Sequence, residues 1–458
     1  MLREADINPR VNENEDDGRF QYPKVLIIGS TFQTKSGGGI TLKNLFSDWP
    51  VDKIGVITDR IAETDPGLKY SFYQLGWEEI RYPFPFYFMQ SRIKSGPINF
   101  AHKVGGSSLK HHNSAISKIK GSMRNNFNKI LELIGITPLF NSIKVSDTLK
   151  RWILEFNPDL IYIRPFYTEV MTFGNRLFEE LHIPYVIHIM DDSVRYNNRS
   201  LIKRHKRQNY IESQFKQLIV NASECLCISE AMATEYQLRY GRRFDHFRNP
   251  VDLDKWLPFQ KKDLNCSNNV LKIIYTGRLF PPTFFTLLDM CLAVDSLNRK
   301  GKRVEIDIYS YDKNKRFNSR TKRLLGVNLK NPVSVDEVPL LVSNYDIFYL
   351  CLDFDKKAQE YSRLSLSTRT SEGMISGVPV LIYVPDSSAM SHYFKMHNAG
   401  IVVTNQDRSR LEEKIMLLCT DIDLREEVSR NAIKTAISDS RSDFVKESFR
   451  NSLIKAAR

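Results

Sequence analysis

Between Ile80 and Leu131 the sequence has no Asp or Glu, and nowhere in its 458 residues does an apolar run reach the length of about 18 residues that a membrane-spanning helix needs. The polar, acidic opening MLREADINPRVNENEDDGRF lacks the apolar stretch of a secretion signal. A cytoplasmic chain that does not cross the membrane is therefore expected. Cysteine is scarce: there are six, without paired metal-ligand spacing, and the nearest two, Cys225 and Cys227, alternate as one face of a strand would. This argues against zinc and for buried thiols in a reducing compartment. Repeats of about 20 to 50 residues and low-complexity tracts are also missing, which disfavours solenoids and disordered hubs. Neither the G-x-G-x-x-G fingerprint nor the P-loop lysine pair occurs.

What is present is positive charge. The formal net charge is +13, and the acid-free segment 80–131 holds nine Lys or Arg and three His, opening on the aromatic run YPFPFYFM from Tyr82 to Met89. Cations beside aromatics suit an anionic membrane surface, each contributing about 1 kcal/mol near the headgroups. Nucleic-acid phosphates would also suit such charge, but no recognition motif accompanies it, so no nucleic-acid partner is expected. A solvated surface that merely lacks acids is the plain alternative.

Elsewhere, short apolar runs alternate with helical patterns. KVLIIGS, KIGVITD, PDLIYIRP, PYVIHIMDD and CLCISE read as buried parallel strands; EVMTFGNRLFEELH reads as a helix between two of them. After a polar break around Asp252, the alternation restarts with LKIIYTGR, VEIDIYS, DIFYLCLD and PVLIY, and FFTLLDMCLAVDSLNRKG forms an amphipathic helix. The expected class is α/β, with two doubly wound domains. The organisation expected is a leader at 1–20, an N-terminal domain at 21–255 and a linker at 256–270. A C-terminal domain at 271–435 follows, then a last helix at 436–458 that is free to pack back on the N-terminal domain.

Three places carry candidate chemistry. Gly37, Gly38 and Gly39, just before a helix, let backbone approach an anion closely, or form a purely structural turn. Gly277 and Arg278 end a buried strand, where a guanidinium can hold phosphate oxygens or simply pair at the surface. In STRTSEGMISGVPVLIY, Glu372 is expected in the first turn of a helix, where an acid is favoured without any function. A carboxylate there can also accept paired ribose hydroxyls. Arg369 can serve a nearby phosphate, and Ser367 and Thr368 can cap.

Taken in order, GGGITLKNL, HIMDD, CISEAMATEYQLRYGRRFDHFRNPVDLDKW, YTGR and STRTSEGMISGVPVLIY resemble the GT-B glycosyltransferases of the glycogen-synthase-like group, family 4, of the bacterial surface-polysaccharide type. The likeness spans nearly the whole chain except the leader and the basic segment. It implies two Rossmann-like domains facing across a cleft, with a nucleotide sugar held mainly by the C-terminal one. It implies that Glu372 holds the ribose, that Arg369, Thr368, Gly277 and Gly37 to Gly39 complete the donor site, and that Arg278 neutralises the diphosphate. His188 and Asp191 would lie by the reacting sugar, with Asp192, Ser229, Glu230 and Asn249 on the acceptor side or lining the cleft. For His188 the plain alternative is a core histidine satisfied by a neighbour. No cofactor and no metal are expected, so Asp191 with Asp192 is not read as a metal pair, and Asp353 with Asp355 is read as a solvated loop. Two departures stand out. The family's first acid, eight residues before Glu372, is Leu364 here, and a lysine expected five residues after Arg278 is Thr283.

The resemblance thus implies a metal-independent, retaining glycosyltransferase moving a sugar from a nucleotide-diphosphate donor to a glycan, possibly lipid-linked, in cell-surface polysaccharide synthesis. The basic segment would dock it at the inner face of the membrane. The alternative is a catalytically silent scaffold of the same fold; an epimerase or phosphorylase is a lesser rival.

Overall fold

A computed structural model describes residues 21–33, 37–59, 67–80, 93–98, 143–192, 204–265 and 270–458. Most of the acid-free segment, and with it the expected membrane contact, lies outside the described residues.

The first apolar runs form strands buried on both faces: β1 (Val25–Ile28), β2 (Ile54–Thr58), β5 (Leu160–Ile163), β6 (Tyr185–Ile189) and β7 (Glu224–Cys227). Three short strands join them: β3 (Ser71–Gln74), β4 (Gly96–Ile98) and β8 (Asp245–His246). The sheet order is β4-β3-β2-β1-β5-β6-β7-β8, parallel except where β4 meets β3. The second sheet is wholly parallel, in the order β11-β10-β9-β12-β13-β14. Its strands are β9 (Leu271–Thr276), β10 (Val304–Tyr309), β11 (Val327–Lys330), β12 (Ile347–Cys351), β13 (Val380–Tyr383) and β14 (Ile401–Val403).

Each sheet therefore reverses its winding once, at β1/β5 and at β9/β12. Ligands of doubly wound sheets bind outside the carboxyl ends of the strands at such reversals. Those ends carry Gly29 and Arg164 in one domain, and Gly277, Arg278 and Asp353 in the other.

The stretch after Asp252 is more ordered than a plain linker. Asp252 caps a one-turn helix, Leu253–Trp256, and Val251 and Trp256 pack into the core of the C-terminal domain. The last helix, Ser442–Ala457, crosses back: Phe449, Leu453 and Ala456 are buried with Val25, Phe46 and Tyr162 of the first domain. Phe449 meets Phe46 edge-on with ring centres 5.2 Å apart, and Lys446 reaches Asp48 at 2.8 Å. The chain thus ties its end to its beginning through a hydrophobic face.

Candidate functional site

The two domains meet where the Gly37–Leu45 helix and the Thr368–Ile375 helix bring their amino ends together. The three glycines form the first turn of their helix, not a loop before it. Each is small for a reason that can be named. A Cβ on Gly37 would come within 2.9 Å of the Thr368 hydroxyl, one on Gly38 would run into the Arg164 guanidinium, and one on Gly39 would strike the Gln33 carbonyl. Thr368 Oγ1 donates to the Gly37 carbonyl at 3.1 Å and lies 3.2 Å from Thr41 Oγ1. Asn249 is buried behind this contact, accepting from Asn44 at 2.9 Å and donating to the Thr368 carbonyl at 3.5 Å.

Ser367 is the cap, its hydroxyl accepting from the Arg369 N–H. This places Glu372 in the second turn and not the first, so helix-end electrostatics do not account for it. Glu372 is buried, only 5% exposed. Its Oε2 accepts from Arg369 at 2.5 Å, while Oε1 has no protein hydrogen bond among the described residues. One carboxylate oxygen is thus balanced by a cation and the other is left to accept.

On the facing domain, Asp191 and Asp192 part company. Asp191 turns into the seam, 3.7 Å from Arg164 and 3.4 Å from the Ser365 hydroxyl. Burial pushes its carboxyl above the ordinary range, opposed by the Arg164 charge. Asp192 turns inward, accepting from Tyr236 and Arg239 at 2.9 Å each, and so pins the Glu230–Tyr240 helix. Ser229 caps that helix through the Met232 N–H and donates to the Leu364 carbonyl at 2.5 Å across the seam. Glu230 is exposed at the helix start.

Several sequence expectations change. His188 does not line the seam. It is fully buried, 2.6 Å from the Tyr162 hydroxyl through Nδ1, with Phe449 of the last helix at a ring-centre distance of 6.4 Å. Burial and then Arg164 push its pKa down to about 3, with the Cys227 backbone opposing. It is a neutral core imidazole, the alternative its apolar strand allowed. Arg278 is 64% exposed and lies 3.3 Å from Asp312, while Gly277 donates to the Tyr309 carbonyl at 3.1 Å. Asp353 is no solvated loop residue: it is fully buried, and its Oδ1 accepts from the Phe285 and Thr286 N–H groups and the Thr286 hydroxyl at 2.8 to 2.9 Å. It caps the Phe284–Arg299 helix from across the sheet, whereas Asp355 caps its own helix, Lys356–Ser362. These acids diverge, and among the described residues no three His, Cys, Asp or Glu side chains gather as a metal site.

The two departures have structural roles. Thr283 folds back, bonded to the Arg278 and Phe280 carbonyls and to Tyr275. Leu364 leaves its own domain and packs, 4% exposed, in the apolar cluster of the other with Met190, Ile228 and Met232. Sequence reasoning missed Arg164, whose signal was a lone cation closing an apolar strand at the winding reversal.

No protein-family model and no curated protein matches this sequence. Solved structures do match in fold. A sucrose-phosphate synthase from Thermosynechococcus elongatus aligns at 11% identity and TM-score 0.57, over 93% of this chain and 97% of that one. Anabaena HepE in complex with UDP-glucose aligns at 14% identity and TM-score 0.55, over 94% and 99%. WaaG, a glycosyltransferase involved in lipopolysaccharide biosynthesis, aligns at 12% identity and TM-score 0.55, over 93% and 98%. The chain has the GT-B fold of these glycosyltransferases.

Proposed function

We propose that the chain is a glycosyltransferase that takes a sugar from a nucleotide-diphosphate donor and passes it, with retention, to a hydroxyl of a glycan, lipid-linked and destined for the cell surface. The observation that carries this reading is Glu372, a buried carboxylate at the domain seam with one oxygen paired to Arg369 and the other left to accept. That arrangement suits the vicinal hydroxyls of a ribose. The similarity in fold to HepE, whose structure was solved with UDP-glucose, supports a nucleotide sugar as the donor. The similarity to WaaG supports a glycan acceptor.

In this reading Glu372 orients the nucleoside, and the cations and helix amides of the seam stabilise the charge that grows on the leaving diphosphate. The apolar contact of Leu364 and the bonds of Thr368 and Ser229 hold the domains closed and keep water from the reacting bond. Transfer would need no resident metal, and activity is expected to survive chelation. Docking at the inner membrane face through residues 80–131 would show as salt-sensitive binding to anionic vesicles.

A second reading is favoured by Leu364 and Thr283, which occupy the seam and the strand-end loop with apolar packing and local bonds. It is a protein of this fold that binds nucleotide or glycan without turnover. The deciding experiment measures thermal stability with UDP, GDP, ADP, CMP and their sugars, on wild type and Glu372→Gln, alongside donor turnover. A ligand at about 100 times its Kd adds about 2.7 kcal/mol. One nucleotide stabilising the wild type but not the variant, with turnover, supports transfer; binding without turnover supports the scaffold. No stabilisation by any of them refutes transfer from a nucleotide donor and leaves a scaffold that binds glycan alone.

A further inference from the structure

Arg369, Arg278 and Arg164 each lie beside a carboxylate, and these pairs differ in closeness. Arg369 meets Glu372 at 2.5 Å, Arg278 meets Asp312 at 3.3 Å, and Arg164 comes only to 3.7 Å from Asp191. Charge-assisted hydrogen bonds close to about 2.7 to 2.9 Å, so Arg164 and Asp191 attract each other without bonding. Among the described residues the Arg164 guanidinium makes no hydrogen bond at all. Yet it is largely buried, its side chain 16% exposed, whereas that of Arg278 is 64% exposed. A largely buried guanidinium without a hydrogen bond to the described residues suits an anion with several acceptor oxygens.

Its position is also fixed. The Arg164 N–H donates to the Ile28 carbonyl at 3.1 Å, joining the ends of the two strands at the winding reversal, β1 and β5. Gly29, at φ +76°, has no room for a Cβ beside the Arg164 carbonyl. The guanidinium lies against Gly38, whose neighbour Gly37 accepts from Thr368 of the facing helix, one turn before Glu372.

Resting on the reading of a nucleotide-diphosphate donor, we infer that Arg164 binds the diphosphate, supplying from the N-terminal domain the charge that Thr283 does not supply from the other. Asp191 holds the guanidinium loosely in the free protein and yields it to the phosphates. Gly38 is glycine so that the guanidinium can lie against the helix backbone and present its edge to the seam.

The test compares Kd values by calorimetry for whichever of UDP, GDP and ADP the wild type binds most tightly, and for the matching nucleoside. Arg164→Gln should weaken the diphosphate by about tenfold or more, the scale of one charge-assisted contact, and leave the nucleoside within about twofold. Arg164→Lys should fall between. Gly38→Ala keeps Arg164 but displaces its guanidinium, and should weaken the diphosphate in the same direction. The double variant should bind no worse than Arg164→Gln, since both changes remove one interaction. If Arg164→Gln does not fold, Gly38→Ala carries the same comparison.

Equal diphosphate affinity in wild type and variants overturns the role of Arg164 while leaving the nucleotide reading standing. Equal losses for diphosphate and nucleoside overturn it too, because they mark a general disturbance of the seam. A wild type that binds none of the three overturns both readings together.

Discussion

Acid should destabilise the N-terminal domain through His188. The imidazole is fully buried between β5, β6 and the last helix. Burial pushes the Tyr162 hydroxyl up, so it stays protonated and shares a hydrogen bond with His188 Nδ1. In the folded chain the imidazole pKa is held down to about 3, against an ordinary value of 6.5. The unfolded chain therefore binds a proton that the folded chain refuses. Stability from this group is complete above 6.5 and falls as pH drops from 6.5 toward 3, by about 1.36 kcal/mol per unit. Between pH 6.5 and 5 the loss is about 2 kcal/mol, equivalent to about 4 to 8 °C in Tm for a domain of this size. The assay is thermal unfolding of wild type and His188→Gln at pH 7 and pH 5, with NMR titration of the ring. The wild type should lose more stability than the variant between the two pH values, by about that amount. Parallel losses, or an imidazole titrating near 6.5 in the folded protein, would refute the burial argument.

Asp192→Ala strands the Tyr236 hydroxyl and one face of Arg239 in the interior; a loss of about 3 kcal/mol is expected in denaturant unfolding, at the lower end of such cuts because Arg239 keeps Glu235 at 2.7 Å. Asp353→Ala strips the acceptor from two N–H groups and a hydroxyl at the start of the Phe284–Arg299 helix and should cost about 1 to 3 kcal/mol. Burial raises the Asp353 carboxyl pKa, so the folded state holds its proton more tightly than the unfolded one. Its contribution then declines as pH rises through the folded pKa, and Asp353→Asn should flatten that slope in unfolding measured across acidic pH. Leu364→Ala empties a buried contact between domains, costs about 2 to 5 kcal/mol, and should speed proteolysis at the seam. The thiol of Cys225, buried and pushed up to about 12, should resist alkylation at pH 8 until the domain unfolds.

The central strands were legible because each is apolar throughout, which is what burial on both faces demands. The strands that were not legible are those that flank them or form the sheet edges. β4 is three residues with Pro97 inside, tolerated because it pairs on one side only. β11 reads VNLK, its residues partly or fully exposed, and β8 is two residues long. β14, with only three residues, offered too little pattern. The site divided along a similar line. Glu372, Arg369 and the glycines stand in local motifs, and the sequence brought them to notice. Arg164, Asp353 and Leu364 act through partners far along the chain: Asp353 caps a helix 67 residues away, and Leu364 inserts into the opposite domain. No local pattern records such pairings. His188 was misplaced for a related reason. Both faces of β6 are buried, so alternation could not tell the side facing the last helix from the other.

The pairings of Arg369, Arg278 and Arg164 impose a condition on any anion that approaches them. A cation already bonded at 2.5 Å, as Arg369 is to Glu372, gains little from a phosphate and would give up its partner to take one. Arg278, mostly in water and held by Asp312, offers a contact weakened by solvent and salt. Of these, Arg164 combines burial with a partner too distant for a hydrogen bond, so an incoming anion displaces only the loose pairing with Asp191 among the described residues. The departures at Leu364 and Thr283 then need not mean an empty site. Leu364 binds the domains together by apolar contact and Thr283 fixes the strand-end loop, while in the proposal above the charge for the diphosphate comes from the other domain. A donor held in this way bridges both domains, so its affinity and the closure of the seam rise and fall together.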